Sequence, residues 1–401
     1  MKRRIGALLI GVLALMVGCG DEDNPTPPVV QDECLTDEAA PADEFLYVAN
    51  AGSNSVSVID PRLCKAVKTI AVGTGPGELN PTLDGRYVFC MNSDGNNVSV
   101  IDTQTNEVVR TITTGASPLH SFWSPDHAKL WIRNDDGASV TVIDRATFGA
   151  QTILTGAGHG KMAITDGSPY FVYVSNINDN SVTVINGFTQ TVVTTIPVGD
   201  GPHGMDYSHV TKHVYNCSGG GTVPAGIDVI ATVGDSANTV VRRILTPSGR
   251  TNYLHVTEDG LFAWATSPET DQVVVVNLQT EEVLTATTGD YPDKIAFVEG
   301  DIAVVSSVLS TDVALINMNT LQRIALVDVA GHGFYHQQFM FGHRWLKESL
   351  DGRHVYVPNS QEGTVSIIDI TTRARRSTIT IGMAPNGIAV AGPTGGLPYP
   401  R

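Results

Sequence analysis

Short runs in which an apolar residue alternates with a small polar one recur along most of the chain: "VSVID" at Val56–Asp60 and Val98–Asp102, "VTVID" from Val140, "VTVIN" from Val182. A period of two puts every second side chain on the same face, which is the pattern of a β-strand. Before each such run comes another apolar stretch ("YVAN", "YVFCMN", "YVSN") and a turn such as "SDGNN". After it come a hairpin such as "TQTN" and a more polar stretch such as "EVVRTITTG". An upstream phrase of the type "GPGELNPTLDGR" supplies one further strand and its turn. The unit thus predicts four antiparallel strands. Because Val, Thr and Ile dominate with Gly, Asn and Asp as punctuation, and helix-forming runs are nearly absent, the chain reads as all-β.

Eight copies of the third strand can be aligned, starting at Val56, Val98, Val140, Val182, Ile227, Val273, Val313 and Val365, with spacings of 42, 42, 42, 45, 46, 40 and 52 residues. A period in the low forties with four strands per unit is that of propeller blades, each burying its faces only against its neighbours. The first unit begins at a second strand, Phe45, and the chain ends on a lone inner strand, Ala384–Gly392. The last segment is therefore expected to complete the first blade, closing an eight-bladed β-propeller. Seven blades is the alternative, if the irregular fifth unit, "NCSGGGTVPAGIDVIATVGDSAN", is an insertion.

The phrases "YVANAGSNSVSVID", "YVSNINDNSVTVIN" and "YVPNSQEGTVSIID" resemble the YVTN-type β-propeller repeats of bacterial and archaeal surface proteins, over residues 45 to 391. The resemblance implies the fold. For function it implies only a range: surface-layer components, periplasmic binders, and relatives of lactonases and of haem-bearing oxidoreductases.

Residues 1–18 begin with Lys2, Arg3 and Arg4 and continue into an apolar run, as a secretory signal does. The run ends in "MVGC", which resembles the lipobox of bacterial lipoproteins and implies cleavage before Cys19 and lipidation of that cysteine. Residues 19–44 are acidic and proline-rich and read as a solvated tether, with residues 392–401 as a tail. Loss of the signal takes the net charge from −16 to −19, which excludes nucleic acid and anionic headgroups as partners. The expectation is an exported monomer held by its lipid to the outer membrane, on the periplasmic or cell-surface side; the residues "GDED" after Cys19 hint at outward display. Cys34 can reach Cys64 in the hairpin "DPRLCKA", and a disulfide between them would pin the tether. Cys90 and Cys217 fall in different blades and read as buried thiols.

Strand order fixes the faces. Connections from each outer strand to the next inner strand share one face and lead to the central axis, and several carry histidine: His120 in "SPLH", His159 in "GAGHG", His203 in "GPHG", His332 and His336 in "GHGFYH". Imidazoles from different blades suit copper, iron or zinc, and His120, His159 and His203 come from three consecutive units. Glu78, His255, Asp293, Lys294 and Asn386 occupy comparable positions and are expected to line the same mouth. The cluster resembles in kind the axial sites of propeller oxidoreductases, although no "CxxCH" for covalent haem is present. Residues 331–352 read either as a lid over the axis or as a longer inner strand. "TGAGHGKM" departs from a phosphate-binding loop, no "GxSxG" occurs, and no carboxylate set for a lactonase metal is visible. Turns such as "NDDGAS" and "NSDGNN" carry the residues that tight turns require, without calcium-loop spacing.

Two functions remain open on these grounds. One is a scaffold that binds an extracellular or periplasmic protein, a glycan or a small ligand at its axial mouth. The other is a metal or redox protein centred on the axial histidines, with a lactonase-like hydrolase further behind.

Overall fold

The computed structural model describes Cys34 and residues 44–219, 221–247, 249–336, 341–343 and 345–391. Eight four-stranded antiparallel sheets are arranged around one axis. Blade one joins Pro385–Ala391, Phe45–Asn50, Ser55–Asp60 and Lys65–Ala71 from inside outward, so both ends of the chain share one sheet. Blades two to four follow with inner strands Pro76–Pro81, Pro118–Trp123 and Met162–Ile164. Blade five, with strands Met205–Ser208, His213–Ser218, Gly226–Ala231 and Thr239–Leu245, is a full blade, which removes the seven-blade alternative. Blades six to eight have inner strands Leu254–Val256, Pro292–Val298 and Lys347–Glu348. Residues 331–352 include a separate hairpin, Phe334–His336 paired with Phe341–His343, before the short inner strand of blade eight.

Alternation within each strand builds the ring. In Phe45–Asn50, Leu46 and Val48 enter the apolar cluster shared with blade eight, while Tyr47 and Ala49 enter the one shared with blade two. Clusters of this kind fill each of the eight blade-to-blade interfaces. Every blade is thus stabilised by two neighbours and by little of its own, as in other stacked-repeat architectures.

The Asn and Ser/Thr of the repeat have a common task. Asn50 donates from Nδ2 to Ser55 and Ser57, and Asn92, Asn134, Asn176 and Asn359 make the same pair of bonds five and seven residues ahead at 2.8–3.1 Å. These buried amides tie the second strand to the third at the face that carries the axial connections. Blade five departs, using Ser218, Asp228 and Arg243, with Arg243 Nη1 2.7 Å from Asp228 Oδ1.

The inner strands crowd at the axis. A Cβ on Gly387 would overlap the Gly77 carbonyl, and one on Gly204 the Asn252 carbonyl, so only glycine fits at either place. Cys90 and Cys217 are buried thiols in separate blades. Cys64, one half of the expected Cys34–Cys64 bridge, sits at φ 45 in its turn, its sulfur directed at the Pro61 carbonyl 3.9 Å away. Residues 1–18, Cys19, most of the tether and residues 392–401 lie outside the described residues.

Candidate functional site

Strand register defines an axial ring. The fourth residue of each second strand pairs with Ile388, Leu79, Ser121, Met162, Met205, Leu254 and Ile295 in blades one to seven. In blade eight the Lys347–Tyr356 pairing, extended by one residue, adds Leu346. The residue just before each of these points to the axis: Gly387, Glu78, His120, Lys161, Gly204, Tyr253, Lys294 and Trp345. Contacts follow that order. Glu78 Oε2 is 3.2 Å from His120 Nδ1, and Lys161 Nζ is 2.8 and 3.0 Å from the two nitrogens of His120. Both lysine ammonium groups lie over the same two rings, Lys161 at 5.7 Å from Tyr253 and 5.3 Å from Trp345, Lys294 at 5.0 and 4.8 Å. Lys294 is also paired with Asp293 at 2.7 Å.

Above the ring, toward the face of the axial connections, a chain of side chains crosses blades three to six. Asp135 Oδ2 is 2.6 Å from His159 Nδ1, His159 Nε2 is 2.6 Å from His203 Nε2, and His203 Nδ1 is 2.9 Å from the Asn252 carbonyl. A carbonyl only accepts, so His203 donates through Nδ1 and leaves Nε2 as a bare acceptor. The Asp135 carboxylate likewise accepts a hydrogen bond from the Nδ1–H of His159. Two Nε2 atoms 2.6 Å apart are closer than two bare lone pairs tolerate, so an electrophile, a proton or a metal ion, belongs between them. Burial, reinforced by His159 and Lys161, holds the His203 pKa well below the usual range, so its ring is neutral at pH 7.

The geometry has local causes. Arg133, fully buried in the second strand of blade three, donates to Thr155 Oγ1 at 2.7 Å and to the carbonyls of Gly156 and Gly158, fixing the loop that ends in His159. Asp135 lies two residues beyond it, with Oδ1 buried and unbonded among the described residues. Ligand atoms of His120, Asp135 and His159 come within 4.8 Å of one another, close enough for one ion. Burial pushes the Glu78 carboxyl upward against the pull of Lys161, and burial with the like charge of Lys294 pushes the Lys161 ammonium downward.

One step further along the inner strands, Asp206 Oδ2 holds His255 Nδ1 at 3.0 Å, and His255 stacks on Phe297 with centroids 5.0 Å apart. His255 is deep among other atoms yet 42% of its side chain is open, as expected of a residue lining an axial vestibule. Lys347 and Glu348 adjoin it. A surface cavity of about 340 Å³ between Glu299 and Arg353 is elsewhere and contains no histidine.

The sequence-predicted residues therefore divide. His120, His159, His203, Glu78, Asp293 and Lys294 converge at the axis, His255 lies one tier deeper, and Asn386 lies at the axial end of blade one with Oδ1 buried and unbonded. His332 is bonded away from that group, to Glu362 at 2.9 Å. The strand of His336 is placed, but its side chain is outside the description. Asp135, Lys161, Tyr253, Trp345 and Asp206 were not anticipated.

No family profile matches the chain, and a search among curated proteins returns no match. Solved structures do match in fold. Hydrazine synthase of Kuenenia stuttgartiensis aligns with TM-score 0.60 at 19% identity, over 74% of this chain and 95% of that one. Dihydro-heme d1 dehydrogenase NirN, solved in complex with DHE, aligns with TM-score 0.69 at 16% identity, over 90% of this chain and 79% of its own. AztD of Citrobacter koseri gives TM-score 0.66 at 15% identity, over 88% and 99%. These likenesses establish the eight-bladed propeller, and the chemistry has to come from this chain's own residues.

Proposed function

We propose that the protein is a metal-binding propeller of the bacterial envelope, exported and lipid-anchored through Cys19, that takes one late first-row transition metal, zinc or copper, between His159 and His203. The observation that carries this reading is the apposition of the two Nε2 atoms at 2.6 Å while each Nδ1 is held by an oxygen acceptor. An imidazole whose outer nitrogen is fixed by a carboxylate or carbonyl is the usual arrangement around a bound metal. With metal–nitrogen bonds of about 2.0–2.1 Å and a tetrahedral angle, two ligand nitrogens stand about 3.3 Å apart. The pair must open by less than about 1 Å for the metal to sit between them. His120 is the third ligand, reached when its ring leaves the Lys161 amine. Counter-charge is at hand in Asp135, Glu78 and Asp293.

The binding-scaffold reading and the metal reading thus meet: the axial mouth is a binding site and its ligand is a metal ion. A dihydro-heme d1 dehydrogenase among the structural neighbours is in keeping with a ligand site on such a propeller in general, without identifying the ligand here. Calorimetric titration of the purified chain with zinc, and with copper(II) in a weakly chelating buffer, should give one site per chain, lost in the His159→Ala/His203→Ala double variant. Equal binding by that variant would refute the assignment.

A further inference from the structure

Lys161 is 4% exposed, and its Nζ is bonded to the ring nitrogens of His120. Among the described residues no carboxylate oxygen lies within 4.0 Å of that ammonium, whereas buried Lys294 has Asp293 at 2.7 Å. A lysine this deeply buried is ordinarily paired with an anion, because the uncompensated charge is costly. The next ring position beyond Lys161 is Gly204, so within the ring itself no side chain fills the place beside it. Across the axis Lys294 shares the faces of Tyr253 and Trp345 with Lys161.

We propose that Lys161 and Lys294 form a subsite for a small oxyanion, bound beside His120 and against the Tyr253 and Trp345 rings. Glu78, Asp293 and Asp135 act on Lys161 from a distance, and the anion supplies the direct ionic contact that none of them makes. Carboxylate, phosphate and sulfate share the required chemistry of two or more oxygens able to accept from ammonium groups. The subsite goes beyond the metal reading and stands on the two lysines whether or not a metal binds above them.

The test is calorimetric titration of the purified chain, at low ionic strength, with acetate, inorganic phosphate and sulfate in separate runs. At least one should bind saturably, one per chain, and the strongest identifies the source. Lys161→Met should weaken that binding at least tenfold while keeping or raising the melting temperature, since it deletes a buried charge that no carboxylate touches. Lys161→Gln, which keeps a donor for His120 but no charge, should lose binding to the same extent. Failure of all three anions to bind, or wild-type binding by the Gln variant, would overturn the subsite. A separate zinc titration keeps the two readings apart: zinc binding without anion binding defeats the subsite alone, and anion binding without zinc binding defeats the metal reading alone.

Discussion

Asp135 and His159 belong to neighbouring blades, and the carboxylate Oδ2 of one lies 2.6 Å from the imidazole Nδ1 of the other. The bond orients the ring so that Nε2 meets His203. Replacing Asp135 with Asn keeps the shape but removes the charge that makes His159 a strong ligand. Affinity for zinc, measured in competition with a chelator, should fall by about 10–100-fold. The melting temperature should change little, because the Asn amide can be accommodated in the same turn.

Arg133 acts on the same loop by a different route. Its guanidinium satisfies the carbonyls of Gly156 and Gly158 from a fully buried position. Arg133→Met would leave those carbonyls without their donor, at a cost of about 1–3 kcal/mol each. Chemical denaturation should show a loss of several kcal/mol, and metal binding should weaken together with stability, unlike in the Asp135 variant.

The ring closes on a second contact of this kind. Glu44, at the foot of the first strand, is buried, with Oε1 2.5 Å from the Tyr356 hydroxyl and Oε2 2.8 Å from the Leu350 amide. Tyr356→Phe removes a donor from a buried carboxyl across the seam between blades eight and one, and should cost about 1–3 kcal/mol. A double-mutant cycle with Glu44→Ala should show coupling, since Tyr356→Phe has little left to remove once Glu44 is gone.

His354 sets a pH dependence remote from the axis. It is 2% exposed, both ring nitrogens are unbonded among the described residues, and burial holds its pKa below 6.5. The unfolded chain therefore binds this proton more readily than the folded one. The contribution is fully present above about pH 6.5 and is lost as pH falls through the depressed folded pKa. His127 and His213 are shifted the same way by burial. Urea denaturation between pH 7 and 5 should show falling stability, with a shallower fall in His354→Leu.

Much of the architecture was legible because each blade repeats the same second and third strands: the Asn that anchors "YVAN" and the Ser/Thr of "VSV" meet in space as they do in the pattern. The converging histidines were legible for the same reason, since each lies in an equivalent connection. The ring itself was not. Its residues lie at the start of inner strands that carry no shared phrase and are as short as Met162–Ile164, Leu254–Val256 or Lys347–Glu348. The sequence grouped Glu78, His120 and Lys294 at comparable positions, but only register against the second strand adds Lys161 and Tyr253 and makes the five equivalent. Asp135 was hidden differently. It stands in "NDDGAS", whose Ala138 at φ 40 does turn work, while Asp135 itself turns inward to His159. His332 looked like its counterparts, but a glutamate in the adjacent turn claims it.

The proposed function depends on a metal ion sitting between two particular nitrogen atoms. Crystals of the chain soaked in zinc, with anomalous diffraction recorded on both sides of the zinc absorption edge, address that directly. One strong peak is expected within bonding distance of Nε2 of His159 and Nε2 of His203, with the two rings moved slightly apart. No peak at that position, or zinc held only elsewhere on the chain, would refute the assignment.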